Sequence, residues 1–386
     1  MTASVIAQVV MVLTLLLMIT GKTPIYMTAI VGATLSALIA GFPIMGSAEM
    51  TIAKMVNTGL NPVIADMTGI LLFIGIMQAT GFLDVIIRDI VRVGNKLGGG
   101  TGVCSAGGIA AGVIGALTGF THPTQVALVA TAGISFGLFN VLGLIACLTI
   151  FLVSAIRCNA DMRRRGVVIT KEEQARIMAE IENREYSTTS LRAFLPFLVL
   201  FIGFVAGFPV FLVGLASAIV CMLLSGKPMR EAEAAMLKGV SLIATPIVAT
   251  IGFLFMSTVI KQVGLVQTMS DAVGPVLSVA PVLILFGVAF LTGFLTQSYA
   301  ASVSVLVPFL QVVLQTGADP FAACFAAASG ASLIQYFLTG GPVAALATVI
   351  PVIPGSDLKT ANAFQRPSIL AGCAMAFLIT VILTLV

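Results

Sequence analysis

Two short polar runs interrupt long apolar stretches of this 386-residue chain. The first reads Ala116-Leu-Thr-Gly-Phe-Thr-His-Pro-Thr-Gln125, the second Phe290-Leu-Thr-Gly-Phe-Leu-Thr-Gln-Ser-Tyr299. Thr118, Thr121, Thr124, Thr292, Thr296 and Ser298 supply hydroxyls that both donate and accept hydrogen bonds, and Gln297 adds an amide. Gly119 and Gly293 permit a turn, and Pro123 lacks the N–H that a continuous helix needs. Helix N-termini just after the breaks, near Thr124 and Ser298, present free N–H groups and a positive dipole end. That suits an anion such as a carboxylate. Carbonyls released on the other side of each break suit Na+. A single Thr-Gly pair is equally well a kink in a packed helix, since small residues are common at membrane helix contacts. Two matching runs favour a binding site.

Further residues bear on the same chemistry. A third polar break, Leu338-Thr339-Gly340-Gly341-Pro342, has only Asn140 as a weak counterpart in the first half. It reads either as part of the site, through Thr339, Gly340 and Gly341, or as a simple helix end. His122 is the only histidine; it can carry a proton near neutral pH or act as a neutral donor. Asp66 follows Asn61-Pro62 in an apolar run. An acid inside a membrane segment points to function, whereas one turn from the surface it is a solvated helix end. Asp66, His122 and Asn61 are the candidates for ion coupling. Lys261 falls at a segment end and reads as a snorkelling side chain. The six cysteines show no CxxC spacing, so neither a metal site nor a disulfide is expected. No acid–base constellation recurs, so no catalytic residue, enzyme activity or covalent cofactor is expected. No Walker motif and no deep chain of acids is present, which argues against direct ATP use and against a proton pump. No arginine falls deep in an apolar segment, so dipoles, hydroxyls and a co-bound cation are expected to neutralise an anion.

The elements that must position these residues recur along the chain. Pro24, Gly41 and Pro43 return as Pro209, Gly226 and Pro228, displaced by 185 residues. Lys54 and Pro62 return as Lys238 and Pro246, displaced by 184. Gly69 and Gly81 return as Gly252 and Gly264, displaced by 183, and Thr118-Gly119-Phe120 returns as Thr292-Gly293-Phe294, displaced by 174. The chain is 59% hydrophobic and 9% charged, with a mean hydropathy of +1.14. Soluble proteins carry about 25% charged residues, so this is an integral membrane protein. Its apolar runs are too continuous for β-barrel strands, which alternate over about 10 residues. An internal repeat in an apolar chain is the mark of a secondary transporter with its site where the halves meet. The net charge of +4 reflects loop lysines and arginines and does not point to nucleic acid.

Apolar segments fall near 3–20, 25–42, 61–79, 102–120, 125–156, 194–208, 209–225, 243–260, 279–295, 299–314, 320–337, 342–353 and 368–386. Several are shorter than the ~20 residues of a full span, which predicts discontinuous or re-entrant helices lining a cavity. Residues 1–20 read as a retained helix, not a signal peptide. Residues 157–193 carry eight basic and six acidic side chains and read as a cytoplasmic linker. This divides the chain into a first membrane repeat (1–156), a linker (157–193) and a second repeat (194–386). Residues 46–58 and 229–240 look like amphipathic surface helices, and Asp84 and Arg88 have the spacing of a helical ion pair. Keeping the basic loops inside requires an odd number of crossings per half, so the second repeat is inverted relative to the first. The N-terminus and the C-terminal loop with Lys359 and Arg366 then lie outside. The predicted class is an all-α polytopic membrane protein with two inverted repeats.

From Leu291-Thr-Gly-Phe through Leu306-Val-Pro-Phe-Leu310 and Gly317-Ala-Asp-Pro320 to Thr339-Gly-Gly-Pro-Val343, the second half resembles the ion transporter superfamily. That superfamily includes the large membrane subunits of TRAP transporters, the C4-dicarboxylate carriers and the gluconate permeases. Gly98-Gly-Gly100 followed by the first polar run is similar to that family's first hairpin, while Gly340-Gly341-Pro342 departs from its Pro-Pro pair. The resemblance implies an elevator-type carrier whose scaffold is helices 1–42 and 194–226 and whose moving part holds both polar runs. It also implies symport of carboxylates with Na+ or H+ and a homodimer. The resulting expectation is a multi-pass protein of the bacterial inner membrane, in contact with lipid, that carries a small organic anion such as a dicarboxylate or sugar acid. The alternatives are a Na+/H+-type antiporter using Asp66 and His122, or a membrane subunit that works with a periplasmic solute-binding protein.

Overall fold

The computed structural model describes residues 2–20, 25–57, 62–96, 123–166, 170–206, 208, 210–241, 244–277, 279–296, 299–337 and 358–385. Among the described residues there are seventeen helices and no strand. They are α1 (Ala3–Thr20), α2 (Ile25–Ile39), α3 (Ile52–Asn57), α4 (Pro62–Ala79), α5 (Phe82–Lys96), α6 (Pro123–Ala132) and α7 (Leu138–Arg164). Then follow α8 (Lys171–Glu182), α9 (Ser190–Val205), α10 (Val210–Ser225), α11 (Met229–Ser241) and α12 (Ala244–Gln262). The last are α13 (Leu265–Leu277), α14 (Pro281–Thr296), α15 (Tyr299–Gln315), α16 (Pro320–Ile334) and α17 (Leu358–Leu385).

By length and composition, Ala3–Thr20, Leu138–Arg164 and Ala363–Leu385 can each cross a membrane. A fourth crossing arises if Thr68–Ala79 and Phe82–Ile90, bent by 82°, count as one span. On α7, Leu138, Val141, Ile145, Leu148, Leu152 and Ile156 are all exposed. Steps of three and four residues put them on one face of the helix. A water-soluble fold would bury such a stripe, whereas lipid tails are as apolar as the stripe itself.

Two compact units make up the chain: Met1–Ile64 with Gly112–Thr149 and Thr245–Val386, and Ala65–Ala111 with Ile150–Ala244. Each takes residues from before and after position 157. In the smaller unit, Phe73, Ile76 and Met77 of α4 and Phe82, Val85 and Ile86 of α5 form a core with Ala193, Ala218, Cys221, Ala232 and Met236. Because lipid competes well for apolar surface, close fit rather than burial must hold such helices together. Glycines provide it: a Cβ on Gly75 would come 2.8 Å from the Gly239 backbone. Arg88 pairs with Asp89 at 2.9 Å, not with Asp84 as the helical spacing predicts. Ser190 Oγ accepts from Arg88 at 2.7 Å and the Tyr186 ring lies under the guanidinium at 4.6 Å. These partners draw the side chain toward α9 and away from Asp84.

The repeat recurs as local geometry. Gly81 and Gly264 adopt φ of 73° and 76°, a region that glycine enters without steric cost. Just before each glycine, a carbonyl accepts a serine hydroxyl: Ser187 Oγ donates to Thr80 O at 2.6 Å, and Ser4 Oγ donates to Val263 O at 3.4 Å. Donors and acceptors are both displaced by 183 residues, like the glycines themselves. Gly41 and Gly226 likewise share positive φ, at 87° and 65°.

In the larger unit, α16 is enclosed on all sides: every residue from Ala322 to Ile334 is buried. Its run of alanine, serine and glycine lets neighbours approach closely. Asp319 caps the helix, its carboxylate accepting from the Ala322 N–H at 2.7 Å, with Pro320 in the first turn. Pro at that position forfeits no intrahelical bond. Helices α14, α15, α17 and α6 pack around α16.

Several predicted boundaries shift. The apolar segment 125–156 is two helices, separated at Gly133 and Gly137, whose φ are 70° and 119°. Asn140 Oδ1 accepts from the Gly137 N–H at 2.9 Å, so this asparagine serves the start of α7 rather than a polar break. Helix α7 continues through Arg164, into the charged stretch, where Arg163 and Arg164 suit the negative end of the helix dipole. Among the described residues of 46–58, only Ile52–Asn57 is helical. Lys359 and Arg366 belong to α17, not to a loop. The segments near 102–120 and 342–353 lie outside the described residues.

Candidate functional site

Two helices follow the polar runs, α6 described from Pro123 and α15 from Tyr299. Helix α6 packs against α15 and α16. This brings the end of the first run to the helix that follows the second. Thr124 and Gln125 are fully buried. Gln125 Nε2 donates to Ser332 Oγ on α16. Three residues further along, at the C-cap of α16, Gln335 Nε2 donates to Ser302 Oγ on α15 at 2.7 Å. That hydroxyl also lies 3.3 Å from Thr296 Oγ1 at the end of α14. Gln125 with Ser332, and Ser302 with Gln335 and Thr296, are thus two hydrogen-bonded groups about one turn apart along α16; together they make a polar cluster joining α6, α14, α15 and α16, buried except for the half-buried Thr296.

Each of these amides and hydroxyls would be costly in hydrocarbon without a partner, at about 1–3 kcal/mol per orphaned group. Gln335 is only 1% exposed, and among the described residues its Oε1 has no hydrogen-bond partner. An acceptor held this way is free for a ligand that brings a donor or a cation. Among the described residues of the cluster no side chain carries a formal charge.

Thr292 and Gly293 lie within α14, not at its end, and both are buried. The expected turn at Gly293 does not occur, because α14 continues to Thr296. Here the glycine permits close helix approach instead. A Cβ on it would come 2.9 Å from Ala331 Cα and 2.8 Å from Ile334 Cγ2 of α16, and nearer still to the Ala331 carbonyl. Pro123 lies on α6 and Asp66 on α4. Asn61, Thr118, Gly119, Thr121, His122, Gln297, Ser298, Thr339, Gly340 and Gly341 lie outside the described residues.

Two consecutive residues of α17 hold the turn that follows α16. Gln365 Nε2 donates to Tyr336 O at 3.3 Å, and Arg366 Nε donates to Phe337 O at 3.1 Å. The Arg366 guanidinium also lies over the Phe337 ring, 5.2 Å from its centroid. Phe337 in turn meets Phe294 of the second polar run, with centroids 5.9 Å apart.

A further buried amide–hydroxyl pair lies along α15, where Gln311 Nε2 donates to Ser257 O at 3.0 Å and also to Ser257 Oγ. It borders a cleft of about 410 Å³ lined by Lys261, Val266, Gln267, Gln311, Leu314 and Gln315. Lys261, in the last turn of α12, is exposed. Among the described residues no group of three or more His, Cys, Asp or Glu side chains could hold a metal ion.

Sequence reasoning passed over Ser302, Ser332, Gln335, Gln365 and Arg366. Gln335 carried a readable signal, a lone amide at the end of the alanine-rich run 320–334. Ser302 and Ser332 carried none, because serines in membrane helices often bond their own helix backbone.

No protein-family model and no curated protein sequence matches the chain. Among solved structures it is similar to the crystal structure of the YdaH transporter of Alcanivorax borkumensis, described as having an unusual topology. The TM-score is 0.60 at 14% identity, over 96% of this chain and 98% of that one. At that identity the likeness establishes the fold alone: the chain shares the helical fold of that transporter.

Proposed function

We propose that this protein is a secondary active transporter that moves a small organic anion, a carboxylate such as a dicarboxylate or sugar acid, by cation-coupled alternating access. The observation that carries the reading is the polar cluster of Gln125, Ser302, Thr296, Ser332 and Gln335. It joins helices that follow both polar runs. Thr118, Thr121, His122, Thr124, Thr292, Gln297, Ser298, Thr339, Gly340 and Gly341 complete the proposed site, and Asp66, His122 and Asn61 are its proposed coupling residues. Amides and hydroxyls orient polar ligands, while helix N-termini favour their negative groups. The coupling ion is Na+ or H+. An elevator motion of inverted repeats and a homodimer in a bacterial inner membrane belong to the same proposal; a membrane subunit that works with a periplasmic solute-binding protein is its alternative.

Purified protein in liposomes tests it. Radiolabelled succinate, citrate and gluconate should accumulate when an inward Na+ or H+ gradient is imposed and not without one. Gln125→Ala and Thr296→Val should abolish accumulation while the protein still inserts. Proton flux driven by Na+ with no organic anion present would instead establish cation exchange.

A further inference from the structure

We propose that Arg366 is the charge-recognising residue of the anion site, an inference that rests on the function proposed above. The cluster at α6, α14, α15 and α16 can orient a ligand, yet its described side chains bring no charge to match a carboxylate. Arg366 brings one to Phe337, two residues beyond Gln335. It is the fourth residue of the apolar span Ala363–Leu385, so it stands at the mouth of that span. Its position is fixed by two contacts with one residue, a hydrogen bond from Nε to Phe337 O at 3.1 Å and a stack on the Phe337 ring. Buried Gln365 fixes the preceding carbonyl, Tyr336 O, in the same way. Phe337 packs on Phe294 of the second polar run and directly precedes the third break, Leu338 to Pro342. These contacts tie the guanidinium to Phe294 of the second polar run.

Among the described residues no ion pair neutralises this charge; those present engage Arg88, Arg92 and Arg165. A guanidinium carries five N–H donors in a planar fork. With Nε held by Phe337 O, both terminal nitrogens remain for the bidentate geometry that matches a carboxylate. A purely structural role, as a donor to the orphan carbonyls after α16, needs only one N–H and no charge.

That difference sets the test. Wild type, Arg366→Lys and Arg366→Gln are compared for uptake of succinate and gluconate in liposomes and for competition by the uncharged succinamide and gluconamide. Arg366→Gln keeps an amide donor for Phe337 O, so the variants should melt close to wild type. The expected result is a rise of about 10- to 100-fold in half-saturation for the carboxylates in Arg366→Gln, the scale of a lost hydrogen bond to a charged group. Inhibition by the amides should stay unchanged, so the preference for carboxylate over amide collapses. Arg366→Lys should fall between the two. The proposal is overturned if Arg366→Gln keeps the wild-type carboxylate-to-amide preference, or, should that variant not accumulate, if Arg366→Lys keeps wild-type half-saturation. If Gln125→Ala abolishes uptake while both arginine variants behave as wild type, this inference alone fails. If wild type takes up neither carboxylate, the reading of the site fails with it.

Discussion

Gly293 and Gly287 lie two turns apart on α14, and replacing each by alanine separates helix propensity from helix packing. Alanine favours a helix over glycine by about 1 kcal/mol, a gain that both substitutions share. Their surroundings differ. Nothing lies within 4 Å of a Cβ placed on Gly287, so Gly287→Ala should keep the whole gain. A Cβ on Gly293 would meet the α16 backbone, with Ala331 Cα at 2.9 Å against an ordinary contact of 3.4–4 Å. No rotamer change relieves a clash with backbone, so α14 and α16 must separate by roughly half an ångström to one ångström. A gap of that size forfeits about a quarter to a half of each dispersion contact along the interface, and overpacking of this kind costs about 1–3 kcal/mol. Gly293→Ala should therefore be less stable than Gly287→Ala by about 1–3 kcal/mol, the shared propensity gain having cancelled. At about 2–4 °C per kcal/mol, the two should melt roughly 2–12 °C apart in detergent, with Gly287→Ala at or above wild type. Size-exclusion of heated samples reads this directly. Coincident melting of the two variants would refute the argument that Gly293 is a packing glycine.

The remaining predictions concern the amide, the repeated hydrogen bond and the lipid face. Gln335→Leu removes an acceptor that has no partner among the described residues along with one hydrogen bond to Ser302, so its melting temperature should stay within a few degrees of wild type while liposome uptake of the carboxylates is lost; a large drop in melting temperature would mark Gln335 as structural only. Ser187→Ala should cost about 0.5–1.5 kcal/mol through its bond to Thr80 O at 2.6 Å, and Ser4→Ala measurably less, because its bond to Val263 O is stretched to 3.4 Å; thermal melts of the two single variants check the order. Ile145→Arg puts a charge on the exposed apolar face of α7 and should weaken insertion by about 2.5–3.5 kcal/mol, seen as a lower membrane-to-soluble ratio on fractionation, whereas Glu172→Lys on the exposed start of α8 should leave that ratio unchanged.

Much of the architecture was legible in residue spacing because glycine and proline act locally. Gly81 and Gly264 announce turns through their own backbone freedom, and the structure places positive φ at both. Pro123, which lacks an N–H, stands first among the described residues of α6. What was not legible depended on partners remote in sequence. Gly293 looks like a hinge in isolation and becomes a packing residue only because α16 lies against it. Asp84 has the right spacing for Arg88, but Asp89, Ser190 and Tyr186 compete for the same guanidinium and win. Arg366 follows a long polar stretch and reads as a loop residue, because the apolar pattern begins only after it. Its helix starts eight residues earlier, at Leu358.

The same contrast bears on how the recurring sequence pattern relates to the proposed site. Contacts that recur between the copies are structural: a serine hydroxyl on the carbonyl before a left-handed glycine, once as Ser187 to Thr80 and once as Ser4 to Val263. The polar cluster does not recur. At the displacement of 174 that aligns Thr118 with Thr292, Gln125 aligns with Tyr299. At the displacement of 184 that aligns Gly133 with Gly317, Ser332 and Gln335 align with Leu148 and Phe151. Leu148 is an exposed apolar residue of α7. In the first copy that helix offers an apolar face outward, whereas in the second the corresponding helix is buried on every side and carries the amide and hydroxyl of the cluster. A polar group facing lipid has no partner, while one enclosed by four helices can be satisfied by them or by a ligand. Burial of α16 is therefore what lets an amide and a hydroxyl persist there, and in the proposed site Arg366, on the helix that packs against α16, would extend that asymmetry from polarity to charge.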